Sequence, residues 1–518
     1  MDLLHGFDVR MLASTVALIG FVALLVRLYK ALVAEPKRLR SLLAKQGITG
    51  PPQALLLGNI SEIKKARGSN GIAKAPSSEA PIISHNLGAT IFPFFEKWRK
   101  QFGDVFVFGL GTTQILYVIK PEAVREITTC TSLDLGKPTY QFKERGPLLG
   151  QGILTSNGPS WAHQRKVMAP ELYMEKGMIN LITDSSNTLV NLWNSKIEAG
   201  KGVADIKIDN DLRGFSGDVI SRACFGSSYT KGVQIFDKLR QLQEAMGRKL
   251  FVSAVPGIRH IPTKSNREEW ALEKDVAKLI LQLVKERHAA GHEKDLLQMI
   301  LEGAKASDLS QEATDRFIVD NCKNIYLAGY ETTATSATWS LMLLAANPEW
   351  QERVRAEVLQ VCQGRVPDAD MLRKMKQLTM VIHESLRLYP PVTIMSREAF
   401  KDMKFGDFHV PKSVNVWTSV VTIHTDPEIW GPDAYDFKPD RFANGITGAC
   451  KLPYLYMPFG VGPRVCLGQN LAMFELKVVI ALIVTNFSFK LSPNYSHEPA
   501  QKLVIEAEKG VDLVMKKL

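Results

Sequence analysis

Phe459-Gly460-Val461-Gly462-Pro463-Arg464-Val465-Cys466-Leu467-Gly468 is a glycine-rich loop with one cysteine, and a largely apolar run from Gln469 to Phe487 follows it. A thiolate is a strong metal ligand in an electropositive, water-poor setting, and glycines let backbone wrap closely against a flat partner. The run behind the loop reads as a buried helix whose free N–H groups and positive dipole end face the sulfur. Cys466 is therefore the candidate metal ligand. Arg464 is placed to meet a carboxylate of the same partner, since a guanidinium fork matches a carboxylate, and Phe459 to shield the thiolate face. A lone cysteine is ordinarily a core thiol. Here F-x-x-G-x-R-x-C-x-G fixes five residue types in ten positions, which reverses those odds.

This pattern resembles the haem loop of the cytochrome P-450 superfamily, the haem-thiolate monooxygenases. Four further elements resemble that family and follow its order. Trp161-Ala162-His163-Gln164-Arg165 fits W-x-x-x-R, with both end residues on one helical face. Ala328-Gly329-Tyr330-Glu331-Thr332-Thr333 lies inside a helical pattern from about Gln311 to Ala346 that Asn347-Pro348 stops. Glu384-Ser385-Leu386-Arg387 fits E-x-x-R, and Pro439-Asp440-Arg441-Phe442 fits the loop that completes a Glu-Arg-Arg cluster. An E-x-x-R is usually a solvated i,i+3 pair. Its place about 80 residues ahead of the cysteine argues for the buried version. Glu384, Arg387 and Arg441 are read as structural core.

The resemblance implies heme b with its iron held by Cys466, and Arg464, Trp161, Arg165 and Arg397 at the propionates. It also implies that Thr332 and Glu331 are the alcohol and acid that deliver protons for dioxygen cleavage. A mid-helix glycine costs about 1 kcal/mol relative to alanine, so Gly329 is expected to have a job, namely room beside the iron. The Thr332 hydroxyl is expected to bond the Ala328 carbonyl one turn back. The plain alternative makes Thr332 and Thr333 ordinary helix residues and Glu331 a surface charge.

At 518 residues and 45% hydrophobic, the chain has no linker after about residue 90 that would separate further domains. The expected fold is mainly α with minor β, a cytochrome P-450 fold with a single catalytic domain over 91–518. Residues 35–90 read as a basic, proline-containing hinge and mobile connection, with no helical or strand period after residue 60. Residues 1–34 read as a membrane anchor. Met11 to Val26 carries no formal charge, so the span is expected from about Phe7 to Val33. Arg27, Lys30, Lys37, Arg38, Arg40 and Lys45 lie downstream of the uncharged core, whereas Asp2, Asp8 and Arg10 lie upstream of it. The positive-inside rule then puts the catalytic domain in the cytosol. A cleaved signal peptide would carry its basic residues ahead of the apolar core.

None of the six cysteines forms a C-x-x-C, so no disulfide framework or zinc site is indicated and a reducing compartment is expected. The net charge of +11 comes without a nucleic-acid motif. A basic face suits an acidic electron donor. The resemblance implies that this partner is NADPH-cytochrome reductase in the endoplasmic reticulum membrane, with O2 and a lipophilic small molecule as substrates. Pocket segments expected by the same likeness are Thr139–Leu154, Ile325–Thr333, Pro391–Ser396 and Glu508–Val511. The chain after about residue 90 looks like the plant branch that includes gibberellin oxidases, which implies hydroxylation or epoxidation of a diterpenoid. A triterpenoid or steroid hydroxylase is the nearest alternative. A haem-thiolate isomerase or dehydratase and a non-catalytic haem-binding protein are alternatives of other classes, and Thr332 with Glu331 argues for oxygen insertion over both.

Overall fold

The computed structural model describes residues 2–69, 83, 85–170, 176–226, 229–247, 261–291, 295–306 and 309–518. The chain begins as one long helix made of α1 (Asp2–Tyr29), a π-helical stretch over Lys30–Ala34 and α2 (Glu35–Ala44). Met11 to Lys30 is exposed throughout, and the helix is long and apolar enough to cross a membrane. It runs past the expected end at Val33. Pro36 has no N–H to offer, and the wider turn just before it lets the helix continue.

The expected hinge is bound to the domain. Leu39 and Leu43 of α2 are buried, and Arg40 donates to the carbonyls of Gly50 and Pro51 at 2.9 and 2.8 Å. The expectation of no helical period after residue 60 is also corrected, because α3 (Ile60–Ser69) lies there. Ile60 and Ile63 go inward, and Glu62 accepts from Lys97 and from the Trp98 indole. The rest of the expected connection, residues 70–82 and 84, lies outside the described residues.

A five-stranded sheet contains β1 (Val105–Leu110), β2 (Thr113–Val118), β3 (Leu135–Gly136), β4 (Ile394–Ala399) and β5 (Asn415–Ser419), in the order β1-β2-β5-β4-β3. Only the β2–β5 pairing is parallel, with Ile115 opposite Asn415. The helices that position the site are α4 (Gly158–Met168), α5 (Asp209–Phe225), α6 (Tyr229–Gly247), α7 (Gln311–Ala346), α8 (Lys376–Leu388) and α9 (Gln469–Asn486). Helix α7 has the expected bounds and spans roughly 50 Å at 1.5 Å per residue. It is buried nearly all round from Ile318 to Ala345 and packs on α5, α8 and α9. Burial on every side marks a helix through the middle of a core, and its buried circumference includes polar residues such as Asn321, Asn324 and Glu331.

Four histidines are held neutral in this core, His85 and His424 buried and His383 and His497 half-buried. His85 and His497 both bond the Tyr389 hydroxyl, at 2.7 and 3.2 Å, and His383 bonds the Tyr456 hydroxyl at 2.9 Å. His424 accepts at Nε2 from the Met457 amide, which leaves its Nδ1–H to donate to the Arg387 carbonyl. Burial lowers His85, His383 and His497 to about 4 and His424 to about 3. An unfolded imidazole takes a proton as pH falls through about 6.5, while these wait until about 4 or below. Stability is therefore lost as pH falls across that window, by about 1.4 kcal/mol per pH unit for each such group. Denaturation midpoints measured from pH 8 to 4 are expected to hold above pH 7 and drop steeply below 6.5.

Candidate functional site

The cysteine loop is fixed by its own backbone and by what lies against it. Cys466 N–H donates to the Phe459 carbonyl at 2.9 Å, Gly460 N–H to Met457 at 3.0 Å and Val465 N–H to Gly462 at 3.0 Å. Gly462 has φ +73, and a Cβ there would stand 2.3 Å from the Thr128 carbonyl oxygen, so a side chain is excluded on both counts. Helix α9 starts three residues after Cys466, as its proposed role requires. Four of the six cysteines are buried and Cys130 is half-buried, whereas Cys466 is exposed. Yet burial among surrounding protein raises the Cys466 thiol, while the Gly468 amide and the Arg165 guanidinium pull it down. A side chain both accessible and closely surrounded faces an internal space.

Cations crowd beside this loop. Arg464 stacks 4.1 Å from the Trp161 ring and donates to Ser156 O and Asn157 Oδ1 at 3.3 and 3.1 Å. Arg165 of α4 donates to the Val465 carbonyl at 2.9 Å. Arg397 of β4 is buried and donates to the Ser396 carbonyl at 2.9 Å. Burial lowers Arg397 and Arg464 to about 10, and Arg464 also feels Arg397 and Arg165. Lys137 belongs to the same cluster and was not expected from the sequence. Burial, Arg397 and Arg464 push its ammonium down to about 7. Register explains its place: β3 pairs with β4 so that Gly136 stands opposite Glu398, which sets Lys137 beside Arg397.

Among the described residues no carboxylate forms an ion pair with Arg397, Arg464 or Lys137. A cavity here is lined by Ile127, Thr128, Trp161, Arg397, Pro463 and Arg464. Crowded, desolvated cations without a carboxylate are costly unless an anion joins them. The two propionates of a haem are such an anion, and a thiol nearby completes the donor set. The residues fit the group.

On α7, Thr332 Oγ1 donates to the Ala328 carbonyl at 2.7 Å, as expected. Ser336, Thr338 and Ser340 make the same bond one turn back, so it is also how this buried helix satisfies its hydroxyls. Thr332 differs from those three in being only half-buried. Gly329 has a packing role. A Cβ there would lie 2.5 Å from Ile220 Cδ1, so the glycine admits the close approach of α5. Ser216, one turn earlier on α5, donates to the Gly329 carbonyl at 2.8 Å.

Glu331 is no surface charge, being 1% exposed. Its oxygens stand 3.4 Å from Arg213 Nε of α5 and 3.4 Å from Arg240 Nη1 of α6. Arg213 also reaches Glu506 at 2.7 Å. Burial raises the Glu331 carboxyl, and the two arginines oppose that rise. A carboxyl whose hold on a proton is raised by burial is a better proton acceptor than an ordinary glutamate.

Glu384, Arg387 and Arg441 come together in one cluster. Arg387 meets Glu384 through two bonds of 2.7 and 2.8 Å, both side chains fully buried, and also donates to the carbonyls of His424, Ala434 and Asp436. Arg441 approaches Glu384 at 3.6 Å and is held by Trp430 and Asp433 carbonyls. The His424–Met457 bond ties this cluster to the cysteine loop. Of the expected pocket segments, residues 151–154 are clamped to α7 by Asp320, Asn321 and Asn324. The Glu508–Val511 turn instead rests on the start of α5, with Val511 N–H on Asp209.

A model of the cytochrome P450 family matches residues 78–515. The chain is 50% identical over 496 residues to cytochrome P450 714C2 of Oryza sativa subsp. japonica, covering 95% of each. It is 44% identical over 524 residues to cytochrome P450 714B3 of Zea mays, covering 100% of this chain and 98% of that one. Against cytochrome P450 714A2 of Arabidopsis thaliana it is 44% identical over 510 residues, covering 96% of each.

Proposed function

Because the chain belongs to the cytochrome P450 family, the haem-thiolate monooxygenases, we propose that it inserts one oxygen atom from O2 into a gibberellin-type diterpenoid, by hydroxylation or epoxidation. The observation that carries the reading is the accessible Cys466 thiol beside the Arg397, Arg464 and Lys137 cluster, on a chain similar from end to end to plant cytochromes P450 of the 714 series. Bound haem supplies the activation of dioxygen. Cys466 would hold its iron, Arg464, Arg397, Arg165, Lys137 and Trp161 would meet its propionates, and Phe459 would cover the thiolate side. Thr332 holds a proton at its hydroxyl, and Glu331 exchanges protons at its carboxyl between Arg213 and Arg240. Electrons come from NADPH through a partner reductase that docks an acidic face on the basic surface. The N-terminal helix anchors the chain in the endoplasmic reticulum membrane with the domain in the cytosol.

Microsomes that hold the protein and a reductase, given NADPH and a panel of diterpenoids, triterpenoids and steroids, test the substrate class by mass spectrometry of products. Conversion of a triterpenoid or steroid with every diterpenoid untouched would overturn it. Thr332→Ala is expected to keep the carbon monoxide spectrum of the reduced protein while more NADPH is consumed per product, the surplus appearing as hydrogen peroxide. A proton-transfer group is typically worth a factor of about 100 or more, and bound water recovers part of that when the hydroxyl is lost. Unchanged coupling in this variant would remove Thr332 from proton delivery.

A further inference from the structure

Arg213 is one buried guanidinium between two carboxylates, and it divides itself unequally. Its Nη2 donates to Glu506 Oε2 at 2.7 Å, whereas its Nε stands 3.4 Å from Glu331 Oε2. Charge-assisted N–H to carboxylate bonds are about 2.7–2.9 Å long, so the strong bond is the one to Glu506. Arg240 reaches the same two carboxylates at 3.4 Å and 3.9 Å. Among the described residues Glu331 therefore sits between two arginines without a short bond to either. Glu506 is held in place by its strand. It lies in β7 (Ile505–Ala507), which pairs antiparallel with β6 (Pro499–Gln501) so that Ala500 stands opposite it. Ile505 N–H donates to the Pro391 carbonyl at 3.2 Å, and the Ile505 carbonyl accepts from the Trp339 indole of α7 at 3.1 Å. Glu506 is 5% exposed, and its Oε1 has no hydrogen-bond partner among the described residues. Burying a second carboxylate is costly, and Arg213 already has Glu331 to pair with.

Without Glu506 the Arg213 guanidinium would be free to close on Glu331 as a short pair, and a carboxylate held so keeps its charge and exchanges protons poorly. The charges that face Glu331 among the described residues are Arg213 of α5, Arg240 of α6 and Glu506 of β7, with Asp209, Glu244, Lys502 and Glu508 behind them. Glu506 is the one acid of the inner three, and its charge adds to burial in raising the Glu331 carboxyl. Resting on the reading of Glu331 as the proton-exchanging group, we infer that Glu506 is a positioning residue for oxygen insertion: it occupies Arg213 and so keeps the Glu331 carboxyl free to take up and release a proton.

Infrared titration of the full haem-loaded chain tests this without turnover. The protonated-carboxyl band that disappears in Glu331→Gln reports Glu331, and the carbon monoxide spectrum reports an intact haem site. Glu506→Gln keeps the shape and removes the charge. In that variant the Glu331 band should vanish at a lower pH than in the native chain, by about one unit, an ordinary size for the loss of one neighbouring charge. In Glu506→Gln with Arg213→Gln, where no guanidinium is freed, it should return to the native pH or above. Turnover of a converted diterpenoid with reductase and NADPH should show kcat down several-fold in the single variant with KM kept, and recovery in the double one. A Glu331 band absent from the native chain or unmoved in Glu506→Gln, or a double variant that stays shifted and slow, would overturn the inference. Failure of both variants to load haem would overturn it too, by making Glu506 a structural group. Unchanged kcat in Glu331→Gln would instead overturn the reading of Glu331, and the shift of its band still decides what Glu506 does to it.

Discussion

Cys466→Ala is expected to abolish the red-shifted carbon monoxide band of the reduced protein and, with it, all NADPH-dependent turnover. Cys224 and Cys322 are buried, and that burial pushes their thiols far up, so neither offers a thiolate. Cys362 and Cys450 are buried as well, and although burial also raises the Cys466 thiol, only there do the Gly468 amide and the Arg165 guanidinium oppose it beside an exposed sulfur. Cys466 alone among the six joins an accessible sulfur to a helix N-terminus and an adjacent guanidinium. The loop itself is held by backbone bonds and by Gly462, none of which the substitution touches. The variant should therefore keep its helical circular dichroism while losing the band. A surviving band would mean that another residue is the ligand.

Glu384→Ala is expected to destabilise the domain by about 3–5 kcal/mol, the cost of leaving a buried partner charge uncompensated. Arg387 is fully buried and cannot turn to water. Its remaining acceptors are carbonyls, and the Lys438 amide, which donates to Glu384 at 2.9 Å, would also lose its partner. Against total stabilities of about 5–15 kcal/mol such a loss is decisive. Haem-loaded protein should fail to accumulate although the polypeptide is made. Immunoblot signal set beside the carbon monoxide spectrum reads this directly. Normal holoprotein yield would show that the pair is not part of the core.

The parts that sequence reasoning reached are those encoded in short, rule-bound stretches. Helix α7 was bounded because its pattern is continuous and Asn347-Pro348 cannot extend it. Glu384 and Arg387 were paired because three residues apart on a helix are neighbours. What was missed depends on which distant surfaces meet. Lys137 follows a two-residue strand, and only the register against β4 brings it to Arg397. Arg213, Ser216 and Ile220 show no motif, yet they grip α7 at Gly329 and Glu331. Gly329 was rightly read as costly in a helix, but local sequence does not say which neighbour needs the room. Helix α3 offers few inward apolar positions, and α2 contains Pro36, so both argued against helix until their packing was visible.

Turnover under 18O2 tests the central claim most directly. With reductase, NADPH and a converted substrate, the account predicts one heavy oxygen atom in each molecule of oxygenated product and none drawn from labelled water. Product formed without label from 18O2, or formed equally well without NADPH, would contradict it and identify an isomerase or dehydratase on the same scaffold.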